Sequence, residues 1–243
     1  MARLAIITIC YNDRDGLART FASVFGQACR DFEYIVVDGG STDGSAELIR
    51  QHADRITHWT SERDGGIYDA QNKGWHMASA PFVLFMNAGD VFASADVLER
   101  ALPLLTDEVD ILYGDAQLAD GRGVYAIKPH PQRITNAWLM KEVVAHQSQF
   151  IRRALLEKSK GYNLRFPIAA DYAFFAHMFW KEHVNVRHAG FVVSIFDTRG
   201  VSSAPLRKEQ AAAERKAIQR TFAPRFWYWS YHAYATFNRL IGR

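Results

Sequence analysis

Ser-Glu-Arg-Asp-Gly-Gly-Ile-Tyr-Asp-Ala-Gln-Asn-Lys-Gly occupies positions 61–74 of the 243-residue chain. Two adjacent glycines, Gly65 and Gly66, sit among four charges, Glu62, Arg63, Asp64 and Asp69. Glycine permits backbone that a side chain would block. Ile67, Ala70, Gly74 and Met77 then recur at helical spacing, so a loop feeding a helix is predicted. Such a junction offers backbone N–H groups to an anion.

Outward from this junction, short apolar runs alternate with helical patterns. Residues 4–10 (Leu-Ala-Ile-Ile-Thr-Ile-Cys) and 34–38 (Tyr-Ile-Val-Val-Asp) read as strands buried on both faces, and so do residues 82–86. Helices are expected near 17–25 and 46–49, the second capped by Ser41, Thr42 or Asp43. Strand–helix alternation implies βαβ units and a parallel sheet, and ligands of such sheets sit beyond the carboxyl ends of the strands. Tyr11-Asn12-Asp13, Asp38, Arg63-Asp64 and Asn87 to Asp90 all fall there. After Asp90 the pattern loosens. A helix is expected over 97–105, strands at 111–113 and 124–127, and an aromatic helix over 170–180. A strand pair at 185–188 and 191–196 precedes a helical stretch over 208–219.

Composition bounds the rest. Nearly half the residues are hydrophobic and 23% are charged, an ordinary globular balance. Cys10 and Cys29 have no metal-type spacing and read as free thiols of a reducing compartment. The first residues show no secretory h-region, and no apolar run reaches bilayer length. The net charge of +3 is uneven. Residues 205–243 hold eight Lys or Arg against Glu209 and Glu214, so that tail carries +6 and the preceding body −3. An anionic surface is therefore the expected partner of the tail, and nucleic acid is not expected for the body.

Each candidate polar group has a plain structural use beside a chemical one. Asp38 either accepts from a nucleobase or sugar hydroxyl or caps the following helix. Tyr11 offers a ring for base stacking. Asp90, with Asn87, suits a hard divalent cation that takes its other ligands from phosphate and water, or simply a turn. Asp171 heads the aromatic helix, where the dipole stabilises a carboxylate and where a general base could stand. His146 is a metal or phosphate contact or a hydrogen-bonded structural histidine. Walker, dinucleotide, zinc and nucleophile-elbow patterns are absent from the sequence.

The ordered set resembles the family-2 inverting glycosyltransferases of the GT-A fold, in the flavour of bacterial exopolysaccharide and O-antigen assembly. The resemblance is carried by Ile7-Thr8-Ile9-Cys10-Tyr11-Asn12, Val36-Val37-Asp38-Gly39-Gly40-Ser41-Thr42-Asp43-Gly44-Ser45, the 61–74 stretch, and Phe85-Met86-Asn87-Ala88-Gly89-Asp90. Ala169-Ala170-Asp171-Tyr172 and Gly200-Val201-Ser202-Ser203 follow. It implies a Rossmann-like nucleotide-sugar domain over 1–204, with a donor half to about 115 and an acceptor half beyond, and a helical aromatic extension over 205–243. It also implies donor binding by Tyr11, Asn12, Asp38, Asp64, Asn72, Lys73 and Asn87, and a manganese or magnesium ion on Asp90 with His146 as a second ligand. Asp171 would be the base for the acceptor hydroxyl, and Gly200, Ser202 and Ser203 would lie near acceptor or diphosphate. The donor expected is a UDP-sugar, with a GDP-sugar next, and the acceptor a saccharide, free or lipid-linked. The place of action implied is the cytoplasm or the inner face of the cytoplasmic membrane. Two departures stand out: Gly39 replaces a common Asp, and Asn87 and Gly89 replace acids of the metal region. The second departure keeps open a catalytically silent nucleotide-sugar-binding or scaffold protein of the same fold.

The aromatic end, residues 226–241, is expected to form a helix with Trp227, Tyr231, Tyr234 and Ile241 on one face. Trp, Tyr and Arg together suit a helix lying in the headgroup plane of a membrane; the alternatives are docking on the body or a subunit interface.

Overall fold

The computed structural model describes residues 2–120, 122–198 and 207–240, with side chains described as far as residue 235. Gly200, Ser202, Ser203 and Ile241 lie outside the described residues.

The strand β1 (Leu4–Cys10) is buried along its whole length. Leu4 and Ile6 enter one hydrophobic cluster while Ala5, Ile7 and Ile9 enter another, because successive side chains point to opposite faces. On one face pack α1 (Arg14–Phe25) and α2 (Ser45–Gln51). On the other packs α3 (Ile67–Met77), pressed close because a Cβ on Gly74 would meet Ile7 Cγ2 at 2.4 Å. The strands β2 (Phe32–Asp38), β3 (His58–Ser61) and β4 (Phe82–Phe85) complete a parallel array in the order β3-β2-β1-β4.

Beyond β4 the sheet changes character. After β5 (Val91–Phe92) and α4 (Val97–Ala101), a hairpin forms from β6 (Ile111–Asp120) and β7 (Gly123–Lys128). The short α5 (Asn136–Lys141) leads to β8 (Gln149–Arg152), which runs antiparallel to both β4 and β6. After α6 (Arg153–Ser159) and α7 (Ala170–His177), β9 (Val186–Asp197) joins β6 in parallel and takes β5 on its far side. Since β8 opposes both neighbours, six of the nine described strands share one direction. The fold is a mixed α/β structure around one mostly parallel sheet.

The pair of strands expected at 185–196 is one strand. Gly190, at φ +84°, lies beside register shifts in the pairing with β6 and kinks β9 without ending it, as a glycine bulge does. The helix expected over 97–105 becomes a 3-10 turn at Leu102–Leu104, where Pro103 cannot continue the ladder.

The C-terminal stretch forms α8 (Lys208–Phe222) and α9 (Arg225–Leu240). Ile218 and Ala223 join the same cluster as Phe85 and Phe175, with Trp227, Tyr228 and Tyr231 packed against it. The aromatic face therefore divides. Trp227 and Tyr231 turn inward, whereas Phe226, Trp229 and Tyr234 are more than 60% exposed. No helix among the described residues is long and apolar enough to cross a membrane.

Candidate active site

A cavity of about 690 Å³ opens at the carboxyl ends of β1 and β4, where this topology puts ligands. Its wall carries Tyr11, Asp13, Gly39, Asp64, Asn87, Asp90 and His146. The helix-entry segment contributes Arg63, Gly65, Gly66, Tyr68 and Asp69, and the far strand and extension contribute Asp197 and Arg207.

The loops after β1, β2 and β3 are built by side chains that satisfy backbone. Asp38 is fully buried; its carboxylate accepts from the Ser41 N–H at 3.0 Å, from the Ser41 hydroxyl and from the Ser61 hydroxyl at 2.6 Å. Asn12, in the left-handed region at φ +50°, receives the Thr42 N–H on Oδ1 at 2.8 Å and donates its own N–H to Ser41 Oγ. Asp43 accepts from Ser45 N–H and hydroxyl at the start of α2, but the N-cap position itself is Gly44 and not one of the residues 41–43 expected there. Asp38 and Asn12 thus stand behind the wall, while two-thirds of Tyr11 is exposed beside it. Asp64 accepts the Gly66 N–H at 2.8 Å, and Gly66 takes φ +111°. The glycine at 39 has a steric meaning here: a Cβ would meet Asp64 Oδ2 at 2.6 Å and the Tyr11 ring at 3.2 Å.

The helix α3 divides its polar residues between two sides. Tyr68 and Asp69 border the cavity; Asn72 and Lys73 do not. Asn72 clasps the loop after α6, donating to the Tyr162 carbonyl at 2.9 Å and accepting the Tyr162 N–H at 2.8 Å. Lys73 is paired with Glu62 at 2.9 Å and lies 3.2 Å from the Arg63 carbonyl.

Opposite the loops after β1 and β2 a chain of side chains crosses the sheet's end. Gln71 donates to Asn87 Oδ1 at 3.1 Å, Asn87 Nδ2 lies 3.0 Å from His146 Nε2, and His146 Nδ1 lies 3.7 Å from Asp171 Oδ2. Asp171 Oδ1 accepts the Tyr172 N–H at 2.7 Å and lies 3.0 Å from the Tyr68 hydroxyl. Asp171 thus sits one side chain behind Tyr68 and His146, with a fifth of its side chain exposed. Burial opposes its charge, but His146, the Tyr172 N–H and the Tyr68 hydroxyl together hold its pKa below the ordinary carboxylate range. Burial likewise works against a charged His146, yet Asp171 and Asp90 raise it above its ordinary value. Tyr68 is kept protonated by burial and the Asp171 charge.

Asp90 is the contrasting acid. Burial pushes it up to about 7 despite the His146 charge and the Asp197 N–H, which it accepts at 3.2 Å. Among the described residues no three His, Cys, Asp or Glu side chains are grouped to hold a metal ion by themselves. The donor set fits a cation that draws its remaining ligands from phosphate and water, as magnesium commonly does.

The cavity lies at the switch from parallel to mixed sheet, lined by carboxylates, with the Asp171–His146 pair at its edge. The chain matches Glycosyl transferase family 2 over residues 5–187 and belongs to that family. It is 37% identical over 209 residues to an uncharacterized glycosyltransferase of Mycobacterium tuberculosis, covering 82% of this chain and 77% of the relative. A PGL/p-HBAD biosynthesis glycosyltransferase of Mycobacterium bovis is 31% identical over 195 residues, 77% and 74% of the two chains. The Escherichia coli UDP-Glc:alpha-D-GlcNAc-diphosphoundecaprenol beta-1,3-glucosyltransferase WfgD is 22% identical over 193 residues, 79% and 75% of the two chains. Among solved structures, S. aureus TarS in complex with UDP-GlcNAc superposes with a TM-score of 0.70 at 19% identity, over 90% of this chain and 65% of that one. The mannosyltransferase PcManGT of Pyrobaculum calidifontis, in complex with GDP-Man and Mn2+, gives 0.63 at 15% identity over 97% and 80%. These likenesses show the GT-A glycosyltransferase fold.

Tyr68, Asp69, Asp197 and Arg207 were not singled out by the sequence. Tyr68 and Asp69 lie inside the decisive 61–74 stretch and could have been found from its helical register. Asp197 ends a strand as Asp38 does, and Arg207 is one of the eight tail cations.

Proposed function

We propose that the protein is an inverting glycosyltransferase that moves a hexose from a nucleoside-diphosphate sugar to a hydroxyl of a saccharide, in the assembly of bacterial cell-surface polysaccharide or glycolipid. In this reading the acceptor oxygen attacks the anomeric carbon while the bond to the diphosphate oxygen breaks on the opposite face. The acceptor proton passes to Asp171, and the nucleoside diphosphate leaves. The observation that carries this reading is Asp171 itself, an ionised carboxylate fixed by Tyr68 and its own helix N-terminus one side chain behind the wall of a strand-end cavity. Tyr11, Asp64 and Asn87 would contact the donor, with Asn12, Asp38, Asn72 and Lys73 shaping the loops that hold it. We assign donor recognition to residues up to about 115 and acceptor recognition to those beyond.

A divalent cation, manganese or magnesium, would be held by Asp90, with His146 or Asp197 nearby, and would neutralise the leaving diphosphate. The ligands of structural neighbours, UDP-GlcNAc in one and GDP-Man with Mn2+ in another, support a UDP- or GDP-sugar donor. The diphosphoundecaprenol substrate named for WfgD supports a lipid-linked acceptor.

The test is UDP or GDP release from a panel of donors with saccharide and lipid-diphosphate acceptors, with and without EDTA, on wild type and Asp171→Asn. Loss of a general base typically costs about 10²–10⁴ in rate. Absence of transfer with every donor, and binding without turnover, would favour the silent nucleotide-sugar-binding alternative.

The extension supports a peripheral site of action at an anionic membrane. The α9 helix docks by Trp227, Tyr228 and Tyr231 and leaves Phe226, Trp229 and Tyr234 outward, beside a basic tail, the combination that suits an interfacial helix. Flotation with phosphatidylglycerol vesicles is expected for wild type and lost in Phe226→Ser/Trp229→Ser. Equal flotation of both would sink this part of the reading.

A further inference from the structure

Helix α7 begins without a side-chain cap of its own. Its N-cap is Ala169, and residue 172, where a Glu or Gln would reach back to the N-cap N–H in a capping box, is Tyr172. The missing acceptor comes from another helix. Glu214 of α8, 8% exposed, places Oε2 at 2.9 Å from the Ala169 nitrogen and 3.1 Å from the Ile168 nitrogen. Its other oxygen accepts from Gln210 Nε2 at 3.0 Å. A buried carboxylate with all its contacts on donors is a costly group to build for packing alone.

The peptide it grips is held from the opposite side as well. The Tyr68 hydroxyl lies 2.8 Å from the Ile168 carbonyl and 3.0 Å from Asp171 Oδ1, so its single proton serves either acceptor. Residues 168–171 are therefore clamped between a wall residue of the cavity and the C-terminal extension. The rest of α8 keeps the clamp aligned. Gln219 donates to the Met140 carbonyl at 2.9 Å and to the Tyr172 hydroxyl at 3.1 Å, and the Arg215 guanidinium stands 4.3 Å over the Tyr172 ring.

We propose that Glu214 is a positioning residue for the transfer: it supplies in trans the N-terminal cap of α7 and so fixes where the Asp171 carboxylate points. The extension is then part of the catalytic apparatus through α8, whatever α9 touches. This inference rests on the reading of Asp171 as the base, and its test separates the two.

Three full-length proteins are compared: wild type, Glu214→Ala and Glu214→Gln, the last keeping an oxygen that can accept both N–H groups. Hydrogen exchange of a peptide spanning residues 166–172 is measured without substrate. Faster exchange is expected in Glu214→Ala, with Glu214→Gln near wild type. For any donor the wild type turns over, kcat of Glu214→Ala is expected to fall about 10- to 100-fold, as for a misplaced catalytic group. Donor KM stays within about twofold, and Glu214→Gln recovers most of the rate. Unchanged exchange in a folded Glu214→Ala overturns the proposal. So does a fall in kcat that the Gln variant shares in full, or a loss confined to donor KM. If no donor is turned over by wild type, the transferase reading fails while the exchange experiment still decides the clamp. If Glu214→Ala does not fold, Glu214→Asp, whose carboxylate is one methylene short of the Ala169 and Ile168 N–H groups, replaces it, with the same two readouts and the same expected directions.

Discussion

The two ends of the cavity use carboxylates in opposite ways. On the donor side, Asp38 and Asp43 are consumed by the turns they organise, each accepting from N–H and hydroxyl groups within a few residues. Opposite these loops, Asp90 and Asp171 flank one imidazole and are driven apart, Asp90 up to about 7 and Asp171 below its ordinary value. Groups whose environments push their pKa values apart are the ones able to carry protons or bind charge. The proposed donor end is an architectural cradle; the end around His146 is where charge is stored.

The sharpest way to break that comparison is Asp38→Ala. Removing the fully buried carboxylate leaves the Ser41 N–H and the Ser41 and Ser61 hydroxyls without their acceptor in a part-buried turn. Each unsatisfied group costs about 1–3 kcal/mol, so a loss of roughly 3 kcal/mol or more in urea unfolding is expected. Asp171→Asn, which keeps an oxygen for the Tyr172 N–H and the Tyr68 hydroxyl, is expected to lose much less stability and far more rate. If Asp38→Ala unfolds like wild type, the cradle description is wrong.

The contrast also explains what the sequence made legible. Local pattern was enough for the strand ends, because a buried apolar run followed by Asp or Asn marks both a turn and a ligand edge. It was enough for α3, whose glycines and periodicity lie within seventeen consecutive residues, 61–77. Long-range geometry was not legible. Nothing near Glu214 distinguishes it from a solvated helical Glu, since its partners lie 45 and 46 residues earlier. Gly190 reads as a turn signal in isolation; only the continued pairing with β6 on both sides makes it a bulge. The side of α3 to which Asn72 and Lys73 belong is decided by the loop at Tyr162 and by Glu62, not by their neighbours in the helix.

A second prediction concerns Asp90 in cation-free protein. With a native pKa of about 7 against an ordinary 3.8, the native state binds more protons than the unfolded state between those values. Stability should therefore be greatest near pH 4, fall as pH rises to about 7, and then level off. The loss attributable to this group is on the order of 2–4 kcal/mol. Buried His130, lowered to about 4 chiefly by desolvation, slopes the other way. The measurement is thus the difference between wild type and Asp90→Asn across pH 4–8. Manganese with UDP should restore stability at pH 8 in wild type and not in the variant. A pH-independent difference would remove Asp90 from the charge-storing end.

The smallest expected effect belongs to Lys73, and it separates wall from ligand contact. Its ammonium is paired with Glu62, whose side chain is 60% exposed, and stands 3.9 Å from Asp69. Pairs this open contribute about 0–1 kcal/mol, so Lys73→Ala should shift unfolding by less than about 1 kcal/mol, and by less still in high salt. If Lys73 only braces the 61–66 loop, donor KM should change no more than about twofold, because the cavity-facing residues of the segment, Asp64 and Tyr68, keep their own hydrogen bonds to Gly66 N and to the 168–171 peptide. A rise of about tenfold in donor KM, suppressed by added salt, would mean that the lysine leaves Glu62 for the diphosphate when donor binds. The donor end would then store charge too, and the division between its cradle and the acceptor-side acids would narrow to Asp171 alone.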